Sequence, residues 1–371
     1  MVKSMQKLTK FIQCKCNPFL FRNIANIFRI LCLRCRGYQI GKNVYIGHGV
    51  KIMGEKVTIG NDVYILDNTV MSGRIVDIRD NVCIFEDVYI HVINKLVIGK
   101  RSKISRNCTW RANNIITGRD LWCNENVEIG GGGWNNENAN LSIGSFMHIG
   151  RDVQINVCKP VMLEGYSGVG IGCMLFTHSA GQGQSVLNGY SFVEAPITVG
   201  KHVSLYTRVI VSPGTVIGEG ATVATQSFVR GKLQPYTFYA GSPAKEKKII
   251  AIPKKEEQWK IIINLFPVIV KSDGYAVGKY EGIQIYCVYC VELLPCMIKN
   301  GIVVTMQSCD LNLAGICVID LQKMVIRGES SDASEKCRDY LRRHGIILKP
   351  ANGYHFHKLN PFILRESSIE R

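Results

Sequence analysis

The sequence lacks an apolar run long enough to cross a membrane. The longest candidate, residues 261–270, is interrupted by Pro267, whereas a membrane-spanning helix needs about 20 consecutive apolar residues. The N-terminus also lacks an apolar core followed by a small-residue cleavage site, so we predict no secretory signal. Since 46% of the 371 residues are hydrophobic and 20% are charged, we expect a folded globular protein that lies in the cytoplasm.

A disulfide framework is missing too, although the chain has 15 cysteines. Their number is odd, and they are scattered singly through apolar positions such as Cys83, Cys108 and Cys173, which favours reduced, buried thiols. Four N-terminal cysteines have C-x-C and C-x2-C spacings that zinc could use: Cys14, Cys16, Cys32 and Cys35. The residues between the two pairs have an apolar and basic helical pattern rather than a turn-rich one, so we expect no metal.

Acidic residues are absent before Glu55, while the whole chain has 45 Lys and Arg against 29 Asp and Glu. Four apolar residues of this basic segment have the spacing of one helix face: Ile24, Ile27, Phe28 and Leu31. Residues 1–38 are therefore predicted to form a basic amphipathic helical segment. Two interpretations stay open, namely peripheral contact with a membrane surface and a cap over the next domain. No nucleic-acid motif accompanies the charge, so we expect no nucleic-acid partner.

A repeat of six residues governs the sequence from about residue 40 onward. Its cleanest run places an apolar residue at six successive positions: Val199, Leu205, Val211, Ile217, Val223 and Val229. A helix would repeat every 3.6 residues and a simple strand every 2. A six-residue unit fits a coil in which each short strand sends one residue inward and then turns a corner, with about 18 residues in a triangular turn. Residues 39–250 are predicted to form this parallel β-helix.

Two segments break the six-residue register, residues 130–140 and residues 177–195. Both are rich in turn-forming residues, and the first reads GGGGWNNENAN. Such composition predicts loops that leave the coil. Because loops inserted on a rigid repeat scaffold are where binding and catalytic residues concentrate, we expect the functional site beside them.

Two stretches of the coil carry a resemblance to a known family. Residues 199–221 read VGKHVSLYTRVIVSPGTVIGEGA, and residues 234–236 and 240–245 read QPY and AGSPAK. They resemble the hexapeptide-repeat acyltransferases, and within them the branch of galactoside, maltose and polysaccharide O-acetyltransferases. The resemblance implies a left-handed β-helix, acetyl-CoA as co-substrate, a sugar or glycan acceptor, and a homotrimer whose sites lie between adjacent subunits.

The same resemblance implies roles for five residues. His178 matches the catalytic base, which lies just before a loop in the family. A sugar hydroxyl is too weak an acid to attack a thioester unaided, so an imidazole would take its proton as the hydroxyl attacks acetyl-CoA directly. The donor positions carry over to Thr207 and Thr225 at the pantetheine arm, and to Lys245 and Lys248 at the CoA phosphates.

Two further residues are weaker candidates for the same cleft. His148 could border it, and Glu194, at the far end of the second loop, could orient His178. For both, an ordinary structural or solvated role is the default interpretation. A zinc enzyme on the same coil would need three histidines on one metal, two of them close in sequence, and the coil contains no His-x4-His pair. No metal is expected.

Three functions stay open on the sequence. We favour acetyl-CoA-dependent O-acetylation of a sugar hydroxyl, in surface polysaccharide or glycolipid synthesis at the inner face of the cell membrane. The second is N-acetylation of an amino sugar attached to a nucleotide, for which His178 would serve equally. The third is a non-catalytic scaffold that binds a glycan or a partner, because Ser204, Tyr206 and Gly231 depart from the family's pattern.

The last part of the chain, residues 254–371, lacks the repeat. Short apolar runs surround one clear helical pattern that follows Ser330 and Ser331, and Cys337 and Leu341 belong to its apolar face. Strand patterns on both sides predict a small α+β domain. It contains no recognisable catalytic motif.

Overall fold

The short strands of the six-residue repeat stack in three columns. In the computed structural model, a strand pairs in parallel with the strand one turn further along the chain. Ile40 pairs with Ile59 near the start of the coil, and Val199 pairs with Ile217 near its end, so a turn uses 19 residues at first and 18 later. The predicted fold class, a mainly β protein built on a parallel β-helix, is confirmed.

The structure describes residues 18–179, 185–266, 268–272, 275–280, 283–288, 301–306, 316–328, 330–351 and 354. The chain divides into two compact units. The first contains residues 1–250 and 359–371, and the second contains residues 251–358.

Each turn of the coil passes through a first, a second and a third face. The first face contains β1 (Gln39–Ile40), β4 (Lys56–Ile59), β7 (Ile75–Ile78), β14 (Asn140–Ile143), β17 (Val161–Leu163), β20 (Ile197–Val199), β23 (Val216–Ile217) and β26 (Lys232–Leu233). The second face contains β2 (Tyr45–Ile46), β5 (Tyr64–Ile65), β8 (Cys83–Ile84), β10 (Lys103–Ile104), β12 (Trp122–Cys123), β15 (His148–Ile149), β18 (Gly168–Val169), β21 (Ser204–Leu205), β24 (Thr222–Val223), β27 (Thr237–Ala240) and β28 (Lys245–Ile249).

The third face contains β3 (Lys51–Met53), β6 (Val70–Ser72), β13 (Glu128–Gly130), β16 (Gln154–Asn156), β19 (Met174–Leu175), β22 (Ile210–Val211) and β25 (Phe228–Val229). Two longer strands, β9 (Tyr89–Ile98) and β11 (Thr109–Thr117), continue around the corner from the third face into the first. These two strands join both faces into one 17-stranded sheet, while the second face is an 11-stranded sheet of its own.

The interior of the coil is a continuous apolar column. All six residues of the cleanest repeat are inside, and none is more than 2% exposed. Fully burying such a side chain stabilises the fold by about 1.5–3 kcal/mol, and β-branched residues suit the short strands that carry them. The period of six therefore identified the inward positions correctly.

Asparagine and aspartate fill many corners of the coil. Asn43 and Asp62 both have φ near 55°, a left-handed backbone conformation that these two residue types tolerate better than most. They occupy the same corner one turn apart, and Asn43 Nδ2 donates to Asp62 Oδ1 at 3.0 Å. At the equivalent corner further along, the buried Arg101 and Asp120 pair at 3.0 Å. Such corners are consistent with the left-handed coil implied by the family resemblance.

Helix α1 (Pro18–Cys35) packs on the first turn of the coil. Leu33 is buried there, and Asn26 both donates to the Val44 carbonyl at 3.0 Å and accepts from the Ile46 amide at 2.8 Å. Arg29 donates to the Ile46 carbonyl at 2.9 Å. These contacts are what the cap interpretation of the N-terminal segment predicts. No helix in the described part of the chain is long and apolar enough to span a bilayer.

The described cysteines are all free thiols. Cys32 and Cys35 are exposed on α1, whereas Cys14 and Cys16 lie outside the described residues. In the coil, five cysteines are buried: Cys83, Cys108, Cys123, Cys158 and Cys173. Burial raises the pKa of the Cys173 thiol to about 11, so this group stays protonated near neutral pH and is a poor nucleophile.

In its described residues, the second unit contains a seven-stranded mixed sheet and two helices. Its strands are β29 (Val268–Ser272), β30 (Tyr275–Tyr280), β31 (Ile283–Val288), β32 (Gly301–Thr305), β33 (Ile316–Asp320), β34 (Val325–Gly328) and β35 (Lys349–Pro350). The helices are α2 (Lys255–Leu265) and α3 (Asp332–Arg343). Ser331 caps α3 by accepting from the Ser334 amide, and Cys337 and Leu341 bury the predicted apolar face.

Candidate functional site

Two loops and one short corner meet where the strands of the third face end. The loop of residues 131–139 follows β13, the corner of residues 157–160 follows β16, and the loop that contains residues 176–179 and 185–196 follows β19. Since β13, β16 and β19 are parallel neighbours in register, the segments that emerge from their ends meet at one edge of the coil. Both loops predicted from the broken register are therefore brought together here.

His178 lies at this edge of the coil, between Asn156 and the loop of residues 131–139. Its Nε2 is 3.4 Å from Asn156 Nδ2, and a Cβ placed on Gly132 would come within 3.3 Å of the same nitrogen. The two hydrogens of Asn156 Nδ2 already reach the carbonyls of Gly130 and Gly132, each at 3.0 Å. Because an amide nitrogen has only two hydrogens, Nε2 can accept a hydrogen bond from an incoming group whenever the ring proton is on Nδ1.

The other ring nitrogen of His178 has a different environment. Nδ1 is buried and has no hydrogen-bond partner among the described residues. Within that part of the chain, nothing fixes which of the two nitrogens carries the proton. Because Nδ1 is buried, Nε2 is the ring nitrogen through which the imidazole can exchange a proton with a bound molecule.

Thr177 anchors the corner directly beneath the imidazole. Its side chain is fully buried, and its Oγ1 lies 2.5 Å from Asn156 Oδ1 and 3.2 Å from Cys158 Sγ. The same oxygen accepts from the Lys159 amide at 3.3 Å. The Thr177 hydroxyl thus connects the backbone just before His178 to residues 156–159 of the previous turn. These contacts fix the position of His178 on the coil.

Replacing Thr177 by valine is expected to lower the free energy of unfolding by about 2–3 kcal/mol, because several buried polar groups then lose their partner. Valine has nearly the same shape, so no large cavity forms. Urea denaturation would measure the loss. Thr177→Ser is the matched control: it keeps the hydroxyl and loses one methyl group, at a cost of about 1 kcal/mol. Equal stability of the valine variant and the wild type would contradict this role.

Glu194 reaches the same corner through its backbone. It forms an isolated antiparallel bridge with His178, and the Ser179 amide donates to the Val193 carbonyl at 2.9 Å. The base of the loop is therefore a short two-stranded ribbon. The carboxylate of Glu194, however, pairs with the ammonium of Lys159 at 3.0 Å, so the structure gives it a loop-closing contact and not an orienting contact with the imidazole.

His148 lies elsewhere. It is on β15 in the second face, where its Nε2 is 3.3 Å from Asn124 Nδ2. The structure therefore does not bring it to the corner of His178.

The four candidate donor residues lie at and beside another corner. Thr207 and Thr225 follow β21 and β24, one turn apart, and the Gln226 amide donates to the Thr207 carbonyl at 3.0 Å. Lys245 and Lys248 are exposed on β28, which pairs antiparallel with β27. Lys245 stands opposite Ala240, close to the point where the next turn reaches the same corner. The structure thus groups all four at one end of the coil.

Within a single chain, His178 does not lie beside these donor residues. Val211 pairs with Leu175 across the third face. Thr207 comes before this face begins, at its entry corner, whereas His178 follows its end, at the exit corner. The two residues therefore lie at opposite edges of the third face on adjacent turns.

Asn156 and Thr177 contact His178 or its neighbours, and the sequence analysis did not select either of them. Their polar side chains are buried at the ends of apolar strands, and the only available signal was their position beside the breaks in the repeat. In the described residues, no group of three or more His, Cys, Asp or Glu side chains could hold a metal ion.

Known proteins resemble parts of this chain. A protein named as a lipopolysaccharide biosynthesis O-acetyl transferase, WbbJ of Escherichia coli (strain K12), is 45% identical over 49 residues, which are 13% of this chain and 25% of WbbJ. The chain therefore spans only a quarter of the length of this curated relative. No protein-family model matches the chain.

Solved structures similar to this chain include hexapeptide-repeat acetyltransferases and an N-acyltransferase. One, from Vibrio cholerae O1 biovar eltor in complex with acetyl coenzyme A, is 21% identical, with 30% of this chain and 61% of that chain covered and a TM-score of 0.28. A variant of the N-acyltransferase AntD from Bacillus cereus, with dTDP and coenzyme A, is 20% identical, with 44% and 88% covered and a TM-score of 0.35.

Proposed function

We propose that the protein is an acetyl-CoA-dependent O-acetyltransferase that acts on a sugar hydroxyl. The observation that carries the proposal is the position of the His178 imidazole, whose Nε2 lies between Asn156 and the loop that contains Gly132. The 49-residue likeness to an O-acetyl transferase of lipopolysaccharide biosynthesis agrees with it. The proposed setting is the synthesis of a surface polysaccharide or glycolipid, on the cytoplasmic side of the cell membrane.

His178 serves as the general base in this proposal. The acceptor hydroxyl oxygen attacks the thioester carbonyl carbon of acetyl-CoA while Nε2 takes the hydroxyl proton. The tetrahedral intermediate then collapses, the carbon–sulfur bond breaks, and the proton returns from the imidazole to the departing thiolate. The products are an acetyl ester and free CoA, and no acyl-enzyme forms.

The acceptor side of the site is assigned to the loop of residues 131–139. Trp134 in this loop packs edge-on against His91, with ring centroids 5.3 Å apart, and His91 Nδ1 is 2.6 Å from Ser72 Oγ. The loop therefore lies along the third face towards the earlier turns, where Asn135 and Asn138 are exposed and the indole of Trp134 packs against the apolar core. Exposed amide groups can donate to and accept from the hydroxyls of a sugar.

Transfer of labelled acetyl groups from acetyl-CoA to a panel of oligosaccharides and nucleotide-linked amino sugars tests the proposal. We expect a product whose label is released by mild alkali, as an ester is. An alkali-stable amide would favour N-acetylation of an amino sugar instead. Tight binding of glycans without transfer to any acceptor would favour the non-catalytic scaffold.

We also propose that the protein is a homotrimer with sites between its subunits. Within one chain, His178 and the donor residues lie at opposite edges of the third face. A site shared between subunits would bring His178 of one copy to the donor residues of the next copy. The loop after His178 also carries large apolar side chains that are 45–92% exposed: Val186, Leu187, Tyr190, Phe192 and Val193. In the proposed trimer, a neighbouring copy would cover them.

Replacing Leu187 and Phe192 together by aspartate is expected to dissociate the trimer, with an association constant at least about 100-fold weaker, because each apolar side chain contributes about 1.5–3 kcal/mol when buried. Analytical ultracentrifugation measures the change. Ile116→Asp/Met162→Asp is the matched control, since each of these residues is 43% exposed on the first face of the coil. A protein that sediments as a monomer before any substitution would refute the trimer.

Replacing Lys245 and Lys248 together by alanine is expected to raise the KM for acetyl-CoA about tenfold. Each exposed lysine contributes up to about 1 kcal/mol to an ion pair with a phosphate, and the effect should shrink at high salt. Lys51→Ala/Lys56→Ala makes the same change of charge on exposed lysines of the first turns and should leave KM unchanged. Equal KM values for the two double variants would show that Lys245 and Lys248 do not bind the CoA phosphates.

A further inference from the structure

Helix α1 has two unlike sides, and the coil uses only one of them. Asn26, Arg29, Ile30 and Leu33 face the first turn of the coil. At 100° per residue, the opposite side of the helix carries a second row of side chains. This row, the apolar stripe, consists of Ile24, Ile27, Phe28 and Leu31.

The apolar stripe is strongly exposed. Its members expose 60%, 58%, 68% and 50% of their surface in chain order. Single exposed apolar residues are ordinary on a protein surface, but four large ones in a contiguous row mark an interaction site. Because the cap is formed by the other side of α1, the stripe is not needed to hold the helix on the coil.

The positive charge of the N-terminal segment indicates which kind of partner the apolar stripe binds. Residues 1–54 contain lysine and arginine but no aspartate or glutamate, so the whole region that carries the stripe is positive. We propose that the apolar stripe docks on an anionic lipid bilayer, with its side chains in the acyl boundary and the basic residues among the headgroups. This proposal concerns a surface remote from His178 and does not depend on the acetyl-transfer chemistry.

Sedimentation of the whole protein with vesicles tests the proposal. We expect it to bind vesicles that contain phosphatidylcholine and phosphatidylglycerol in a 3:1 ratio, and to bind pure phosphatidylcholine much more weakly. Ile27→Asp/Phe28→Asp should reduce the partition coefficient about 100-fold, because two buried apolar side chains are lost. Both residues are exposed, so the variant should unfold at the same temperature as the wild type.

Controls separate the other partners that could cover the stripe. Ile116→Asp/Met162→Asp has the same charge change on a remote face and should bind vesicles like the wild type. Absence of binding to anionic vesicles, or binding that Ile27→Asp/Phe28→Asp leaves intact, would overturn the proposal. Loss of self-association in that variant without vesicle binding would assign the stripe to a second copy of the chain instead.

Discussion

Replacing His178 by alanine is expected to lower kcat for acetyl transfer by about 10²–10⁴-fold, the usual contribution of a positioned general base. Because the proposed base takes the proton of the acceptor hydroxyl and does not hold the pantetheine arm or the CoA phosphates, the variant should still bind acetyl-CoA, and KM should change by no more than about twofold. Initial rates with saturating acetyl-CoA and the acceptor found in the transfer assay give both quantities.

The matched control is His148→Ala. His148 is also a partly buried histidine of the coil, but it lies on the second face beside Asn124. Its replacement should leave kcat within about twofold of the wild type. If the His178 variant retained full activity, or if both variants lost it equally, His178 could not be the base.

Replacing Gly144 by alanine is expected to destabilise the coil by about 3 kcal/mol, the upper end of what one excess methyl group costs in a packed interior. A Cβ at this position would lie 2.1 Å from the carbonyl oxygen of Glu164 and 2.4 Å from its carbonyl carbon, both on the next turn. Since backbone atoms cannot swing away as a long side chain does, the two turns must separate. Thermal or urea unfolding measures the loss.

Gly168→Ala is the control for this effect. Gly168 also lies in the coil, on β18, but a Cβ there would have no neighbour within 4 Å. Its replacement should change the free energy of unfolding by less than about 1 kcal/mol. Equal destabilisation by the two substitutions would show that close stacking of the turns is not what selects glycine at Gly144.

The coil was predictable because its period depends on local geometry. An inward residue such as Val211 is followed six positions later by another, Ile217, and this spacing does not depend on the inserted loops. The sequence alone therefore predicted which residues are buried inside the coil. The left-handed corners filled by Asn43 and Asp62 follow from the same local preferences.

The site was only partly predictable. The broken register placed loops on both sides of His178, but the buried Thr177 and Asn156 acquire their roles only when two separate turns meet. Their burial depends on contacts between residues distant in sequence, which a periodic pattern does not contain. The separation of His178 from Thr207 likewise follows from the register of stacked strands.

Helix α1 shows a different limit. The apolar spacing of Ile24, Ile27, Phe28 and Leu31 predicted the helix, and the usual expectation is that an apolar face packs on the neighbouring domain. In the structure the helix is instead held by hydrogen bonds from Asn26 and Arg29 to backbone carbonyls, together with Leu33. Polar contacts of this kind have no periodicity and could not be foreseen from hydrophobic patterning.

Thermal unfolding of the purified protein with increasing acetyl-CoA tests the central proposal most directly, since it needs no knowledge of the acceptor. A ligand that binds only the folded state stabilises it by about 2.7 kcal/mol at 100 times its Kd. We predict a saturable rise in the unfolding temperature that is weakened in Lys245→Ala/Lys248→Ala and preserved in Lys51→Ala/Lys56→Ala. No rise at millimolar acetyl-CoA would contradict an acetyl-CoA-dependent enzyme and leave a coil that binds its partners through loops alone.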